Sequence, residues 1–176
     1  SEPKRVYPSG QMAAQVLGFT NSMGDGAEGV ECSFDKLLRG EAGSYKAELD
    51  ARRRVIPETR TDVKPARNGK SVYLTIDLTI QSMAEAALAE MADTYRPDSA
   101  CAVVMDPRTG EILALANYPS FDPNAPKANK RAWRNRAVAD LYEPGSTLKT
   151  ATVAAALNEG YSGRAVYAYC RGSERL

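Results

Sequence analysis

The chain is 176 residues long, carries 23 basic against 22 acidic residues and contains no histidine. That length buries one good core or two small ones, and the balanced charge gives no global field toward nucleic acid or an anionic membrane. The missing histidine excludes a Ser-His-Asp triad, a Cys-His pair and a His-liganded metal. Three cysteines, Cys32, Cys101 and Cys170, are too few and too scattered for a disulfide framework or a metal site. No run of 18 apolar residues and no signal peptide is present.

Taken in chain order, Ala13 to Phe19 reads as a strand and Asn21 to Gly29 as a glycine-rich loop. The loop is no phosphate cradle, because no Gly-Lys-Ser/Thr follows it. Ser33 to Leu38 reads as a short helix capped by Ser33 and ended by Gly40, with Lys36 a solvated charge. Ala51-Arg52-Arg53-Arg54 is a basic run better read as a solvated loop than as a binding patch. Arg54 to Ile56 is extended before Pro57, and Pro65-Ala66-Arg67-Asn68-Gly69 is the best domain boundary. Ser71 to Ile76 reads as a strand, and Asp77 as the N-cap of a helix. Ile80, Met83, Ala84, Ala87, Leu88 and Met91 recur with helical period, so this helix is amphipathic, its methionines pack in a core, and Pro97 stops it.

Ala100 to Met105 and Glu111 to Ala116 form a hairpin around Asp106-Pro107-Arg108-Thr109-Gly110, and Cys101 reads as buried strand packing. Tyr118 to Ala132, with Pro119, Pro123 and Pro126, is a long loop of the kind that lines clefts. Trp133 beside it is a packing anchor ahead of a substrate contact. Ser146 to Glu159 is a helix apolar on nearly all sides, which predicts burial in the full domain, and Gly160 is its C-terminal stop. The tail to Leu176 carries no usable pattern.

Tyr142-Glu143-Pro144-Gly145-Ser146-Thr147-Leu148-Lys149 concentrates the chemistry. Pro144 fixes φ and Gly145 permits an unusual turn, so Ser146 lies at a helix start with Lys149 one turn on. Residues three apart share a helix face. The helix dipole and burial against apolar neighbours both favour the neutral amine, which can take the serine proton. The unpaired amides of the first turn can hold the resulting oxyanion. Ser-x-x-Lys also occurs at Ser1–Lys4, which contains Pro3, and at Ser33–Lys36. On the motif alone, N-capping explains Ser146 as well as catalysis does.

The segment from Arg134-Asn135-Arg136-Ala137-Val138 through Lys149 resembles the active-serine region of the penicillin-binding proteins of class B, whose signature includes Ser-x-x-Lys. Val104 to Ala114, Pro119 to Asn124 and Leu74 to Asp77 resemble the family's first hairpin, the segment after it and the entry to its first helix. Arg5-Val6-Tyr7-Pro8 and Gly26-Ala27-Glu28-Gly29-Val30-Glu31 resemble its pedestal region. The resemblance implies an α+β fold. Residues 1–67 would be the C-terminal part of a mixed α/β pedestal of the dimerisation type. Residues 68–176 would be the N-terminal part of a transpeptidase domain related to β-lactamases, with helices on an antiparallel sheet.

It further implies a D,D-transpeptidase that cross-links peptidoglycan stem peptides. Ser146 would be the nucleophile and supply an oxyanion amide, and Lys149 would be the general base. No cofactor or metal is implied, and no nucleic acid. β-Lactams would be inhibitors, and other cell-wall synthesis proteins such as a glycosyltransferase would be partners. The expected location is the extracytoplasmic face of the bacterial cytoplasmic membrane, with an N-terminal anchor lying before Ser1.

Two family motifs are not found: no serine is followed two residues later by asparagine, and Lys149-Thr150 and Lys70-Ser71 are not followed by glycine. The expectation is therefore a piece of a longer enzyme, inactive alone. Two alternatives stay open: a non-catalytic pedestal or interaction module, and a related serine-lysine carboxypeptidase or β-lactamase. The pedestal-like first part argues against a β-lactamase.

Overall fold

Tyr7, Ala14, Phe19, Phe121 and Ala132 are buried together, with Ala27 and Trp133 packed against them. The computed structural model that shows this cluster describes residues 5–161. The chain forms two compact units, residues 1–140 and 141–176. Elements are mixed helix and antiparallel strand, an α+β fold.

In the first unit the predicted strand from Ala13 to Phe19 is instead one helical turn, α1 (Ala14–Leu17). The apolar run misleads because its polar member faces inward. Gln15 is 5% exposed, and its Nε2 donates to the Pro119 and Ala132 carbonyls at 3.1 and 2.9 Å. Ala13 adopts the left-handed region, with its amide donated to Glu85 Oε1 at 2.8 Å. The loop that follows turns on Asn21, whose Oδ1 accepts from the Met23 and Asp25 amides.

The expected helix from Ser33 to Leu38 is two: α2 (Gly29–Ser33) and α3 (Asp35–Leu38). Ser33 ends the first rather than capping the second, and Phe34 between them breaks the turn at φ −112° and ψ 17°. Gly18 lies where α1 meets α2, and a Cβ there would sit 1.8 Å from the Glu28 carbonyl oxygen. Only glycine permits that approach.

Two short strands, β1 (Ser44–Lys46) and β2 (Thr61–Lys64), pair antiparallel. The chain between them is extended at Arg54 to Ile56, as predicted, and the basic run before it is a turn built on Asp50. The Asp50 carboxylate accepts from the Arg52 and Arg54 amides and pairs with the Arg54 guanidinium. The segment 65–69 is bonded to the end of α3 rather than free. Arg67 and Glu41 exchange amide hydrogen bonds, and the Lys70 amide donates to the Leu37 carbonyl at 2.7 Å.

The predicted strand from Ser71 to Ile76 does not form. The stretch runs alongside the hairpin through isolated bonds, Thr75 Oγ1 to the Ile112 carbonyl and the Asp77 amide to the Leu113 carbonyl. Asp77 then caps α4 (Leu78–Tyr95) as expected, accepting from the Thr79 and Ile80 amides at 2.8 and 2.9 Å. The buried face of α4 differs from the predicted stripe: Gln81 and Ala92 are buried, whereas Met83 is 68% exposed.

The hairpin forms as read, from β3 (Ala100–Met105) and β4 (Ile112–Tyr118). Asp106 organises its turn: the Arg108 amide and guanidinium hold the Asp106 carboxyl below the usual range. Cys101 is exposed rather than buried, alternating along β3 with the half-buried Ala100 and Ala102. Cys170 lies outside the described residues.

The outer edge of β4 is closed by side-chain amides. Gln81, fully buried, accepts from the Leu115 amide at 2.8 Å and donates to the Leu115 carbonyl at 3.0 Å. Asn117, 5% exposed, accepts from the Arg136 amide and donates to Asn135. That bond fixes the start of α5 (Arg136–Ala139). The long loop after β4 holds two 3-10 turns, Pro126–Ala128 and Lys130–Ala132, and buries Phe121. Trp133 is the packing anchor expected. Its ring lies 4.7 Å from that of Phe19, and its Nε1 donates to the Pro126 carbonyl at 2.8 Å.

In the second unit a 3-10 turn, Gly145–Thr147, leads into α6 (Leu148–Asn158). Gly160 is left-handed, its amide bonds the Leu157 carbonyl, and the Tyr161 amide bonds the Ala156 carbonyl. This is the Schellman stop predicted from the glycine. No residue of α6 is buried among the described residues; Leu148, Val153 and Leu157 are each more than half exposed.

Candidate active site

Pro144 has φ −69° and ψ −22°, and Gly145 follows at φ +51°, where a side chain is strained. That left-handed residue turns the chain into the 3-10 segment and places Ser146 at its centre. The Thr147 amide donates to the Pro144 carbonyl at 3.1 Å, and the Thr147 hydroxyl bonds the same oxygen. Thr147 and Leu148 have helical φ and ψ, so Ser146 and Lys149, three apart, share one face of a continuous turn.

No side-chain cap bond is made at the start of the 3-10 turn or of α6. The N-cap positions there are Pro144 and Thr147, and Ser146 lies inside the 3-10 turn, so it is the N-cap of neither element. Lys149 is the second residue of α6 and is exposed, so the expected burial is not provided among the described residues.

The competing pair Ser33–Lys36 does not share this arrangement. Ser33 ends α2 and Lys36 lies in α3, on separate helices. Ser1 and Lys4 lie outside the described residues.

Away from this turn, segments far apart in sequence meet around buried Tyr7 and Glu31. Arg5 forms a two-pronged ion pair with Glu31, Nε to Oε1 at 2.6 Å and the second nitrogen to Oε2 at 2.9 Å. Tyr7 donates its hydroxyl to Glu31 Oε1 at 3.4 Å and accepts from the Thr20 amide at 3.1 Å. Asn124 takes the Tyr7 amide on Oδ1 and returns Nδ2 to the Tyr7 carbonyl, at 3.0 and 2.9 Å. The hydrogen bond that Arg5 donates to Glu31 raises the Arg5 pKa, and burial, then the Glu31 charge, raises that of Tyr7. Sequence patterning gave no sign of Arg5, Glu31 and Asn124 as partners. The only signal was that each lies in a segment carrying the family resemblance.

A further ion-pair cluster ends the first unit. Arg134 Nε and Arg136 approach the Asp140 carboxylate at 2.6 and 3.0 Å. Arg134 also donates to the Ala139 carbonyl.

Comparison with known proteins places these segments. Residues 1–74 match the penicillin-binding protein dimerisation domain and residues 100–168 the penicillin-binding protein transpeptidase domain. The chain is 41% identical over 161 residues to the probable peptidoglycan D,D-transpeptidase PenA of Neisseria meningitidis, covering 90% of this chain and 28% of that protein. It is 42% identical over 161 residues to the peptidoglycan D,D-transpeptidase FtsI of Escherichia coli, covering 90% and 27%. The crystal structure of penicillin-binding protein 2X from Streptococcus thermophilus superposes with a TM-score of 0.72 at 32% identity, covering 89% of this chain and 25% of that one. The chain thus spans about a quarter of the length of the relatives it matches. With both domain types matched in order, and the paired segments knitted as described, the chain belongs to the penicillin-binding proteins of class B.

Proposed function

We propose that this chain carries the acyl-serine centre of a peptidoglycan D,D-transpeptidase, with residues 1–67 belonging to its pedestal and 68–176 to its catalytic domain. The observation that carries the reading is the Pro144-Gly145 turn, which sets Ser146 inside the 3-10 turn, at neither N-cap position, and one helical turn from Lys149. Lys149, neutral, takes the Ser146 proton as Oγ attacks the penultimate D-Ala carbonyl of a stem peptide. The Ser146 amide donates to the tetrahedral oxyanion. Collapse breaks the peptide bond, and the protonated terminal D-Ala leaves. The amine of a second stem peptide then attacks the acyl-enzyme and restores the serine.

β-Lactams would acylate the same oxygen. On this reading the site works on the extracytoplasmic side of the bacterial membrane, in cell division or cell-shape maintenance, with other cell-wall synthesis proteins such as a glycosyltransferase as partners.

A related β-lactamase would use the same pair but release its acyl group quickly. The full-length protein, treated with a fluorescent penicillin, is expected to hold a covalent adduct that outlasts removal of free drug and survives denaturation. Catalytic hydrolysis of the penicillin, with no adduct surviving, would favour the β-lactamase reading instead.

A further inference from the structure

Between Pro123 and Ala139 the chain carries five cations, Lys127, Lys130, Arg131, Arg134 and Arg136, and no acidic residue. In a chain with 23 basic and 22 acidic residues this is a local imbalance. Arg134 and Arg136 are consumed by Asp140. Lys127, Lys130 and Arg131 are exposed and make no ion pair among the described residues. The other basic run, Arg52 to Arg54, differs: Asp50 sits within its turn and neutralises it.

The three free cations sit on backbone that is already fixed. They lie on the 3-10 turns Pro126–Ala128 and Lys130–Ala132. Trp133 Nε1 ties down the Pro126 carbonyl, and Gln15 Nε2 ties down the carbonyl of Ala132, a residue 1% exposed. Lys130 Nζ lies 5.9 Å from the Trp133 ring centroid, so its stem is guided as well. Binding by such a surface orders little backbone, which lowers its entropic cost.

We propose that these two turns form an anion-binding surface for the carboxylates of a peptidoglycan strand, separate from the acyl-serine chemistry. The inference rests on the functional reading above for its choice of partner. Stem peptides repeat along a glycan strand and carry free carboxylates, so the strand is a polyanion, and several weak contacts to it add through multivalency. A lipid surface fits less well. Membrane-surface elements combine cations with an apolar face, and the two turns that carry the three cations, Pro126–Ala128 and Lys130–Ala132, expose no large apolar side chain, the nearest being Val138.

The test is co-sedimentation of the full-length protein with purified insoluble peptidoglycan at low ionic strength. The combined variant Lys127→Gln, Lys130→Gln, Arg131→Gln is expected to bind about tenfold more weakly, a few-fold per exposed charge. A variant with Lys36→Gln, Lys46→Gln and Lys70→Gln removes the same charge elsewhere and should stay within a few-fold of the parent. Peptidoglycan with its carboxylates amidated should lose the difference between parent and variant. If the combined variant unfolds, Lys127→Gln and Arg131→Gln are read singly, each expected at a few-fold.

Equal loss in the two combined variants, no loss in the first, or an undiminished difference on amidated peptidoglycan would overturn the proposal. So would retention on phosphatidylglycerol vesicles, but not on peptidoglycan, through the same residues. Penicillin labelling of the parent protein reports separately on the functional reading, so the two can fail independently.

Discussion

Replacing Lys149 by arginine should slow acylation of Ser146 by penicillin about 10²-fold or more, the usual effect of losing a general base. Arginine keeps the positive charge and a similar reach but does not deprotonate in a protein. The chain contains no histidine, and Lys149 is the amine that the Ser146 turn itself carries one helical turn on. Lys149 is exposed and contributes no buried packing, so the substitution leaves the fold intact. The measurement is the second-order acylation rate of the full-length protein, with thermal unfolding as control. Rates that agree within a few-fold would remove Lys149 from the mechanism.

The largest effect on stability is expected at Gln81. Its side chain is fully buried and satisfies both backbone groups of Leu115 at the edge of β4. Gln81→Leu keeps the volume and orphans a buried amide and carbonyl, at about 1–3 kcal/mol each, so a loss of about 3 kcal/mol is expected by urea unfolding. Gln81→Glu should be at least as damaging, because it cannot donate to Leu115 when ionised and sets a second carboxylate beside Glu85, which now receives a Gln81 hydrogen bond. Met83→Leu, at a position 68% exposed, should fall within about 0.5 kcal/mol of the parent. A larger loss at Met83 than at Gln81 would contradict the placement of the α4 face.

That pair of variants also marks where sequence reading stops. The start of α4, the hairpin turn and the Gly160 stop were legible because their signals are local: Asp77, Asp106 and the glycine bond groups within a few residues. The face of α4 was not, because Gln81 answers to Leu115, 34 positions away. The same cause turned the α1 segment from strand to helix, since Gln15 bonds carbonyls more than a hundred residues on. The small sheet of β1 and β2 was invisible: Ser44 to Lys46 is exposed throughout, with no alternation to read. Ser146 and Lys149 were legible as a motif, but that the serine lies at neither N-cap position needed the geometry of Gly145 and Thr147. The linkage of Arg5, Glu31 and Asn124 spans up to 117 positions and has no periodic trace.

The most direct test of the central claim is mass spectrometry of the proteolysed penicillin adduct formed by the full-length protein, beside the Ser146→Ala variant. The account predicts one adduct, on the peptide containing Ser146, and none on the variant. An adduct on another serine, or undiminished labelling of Ser146→Ala, would contradict it.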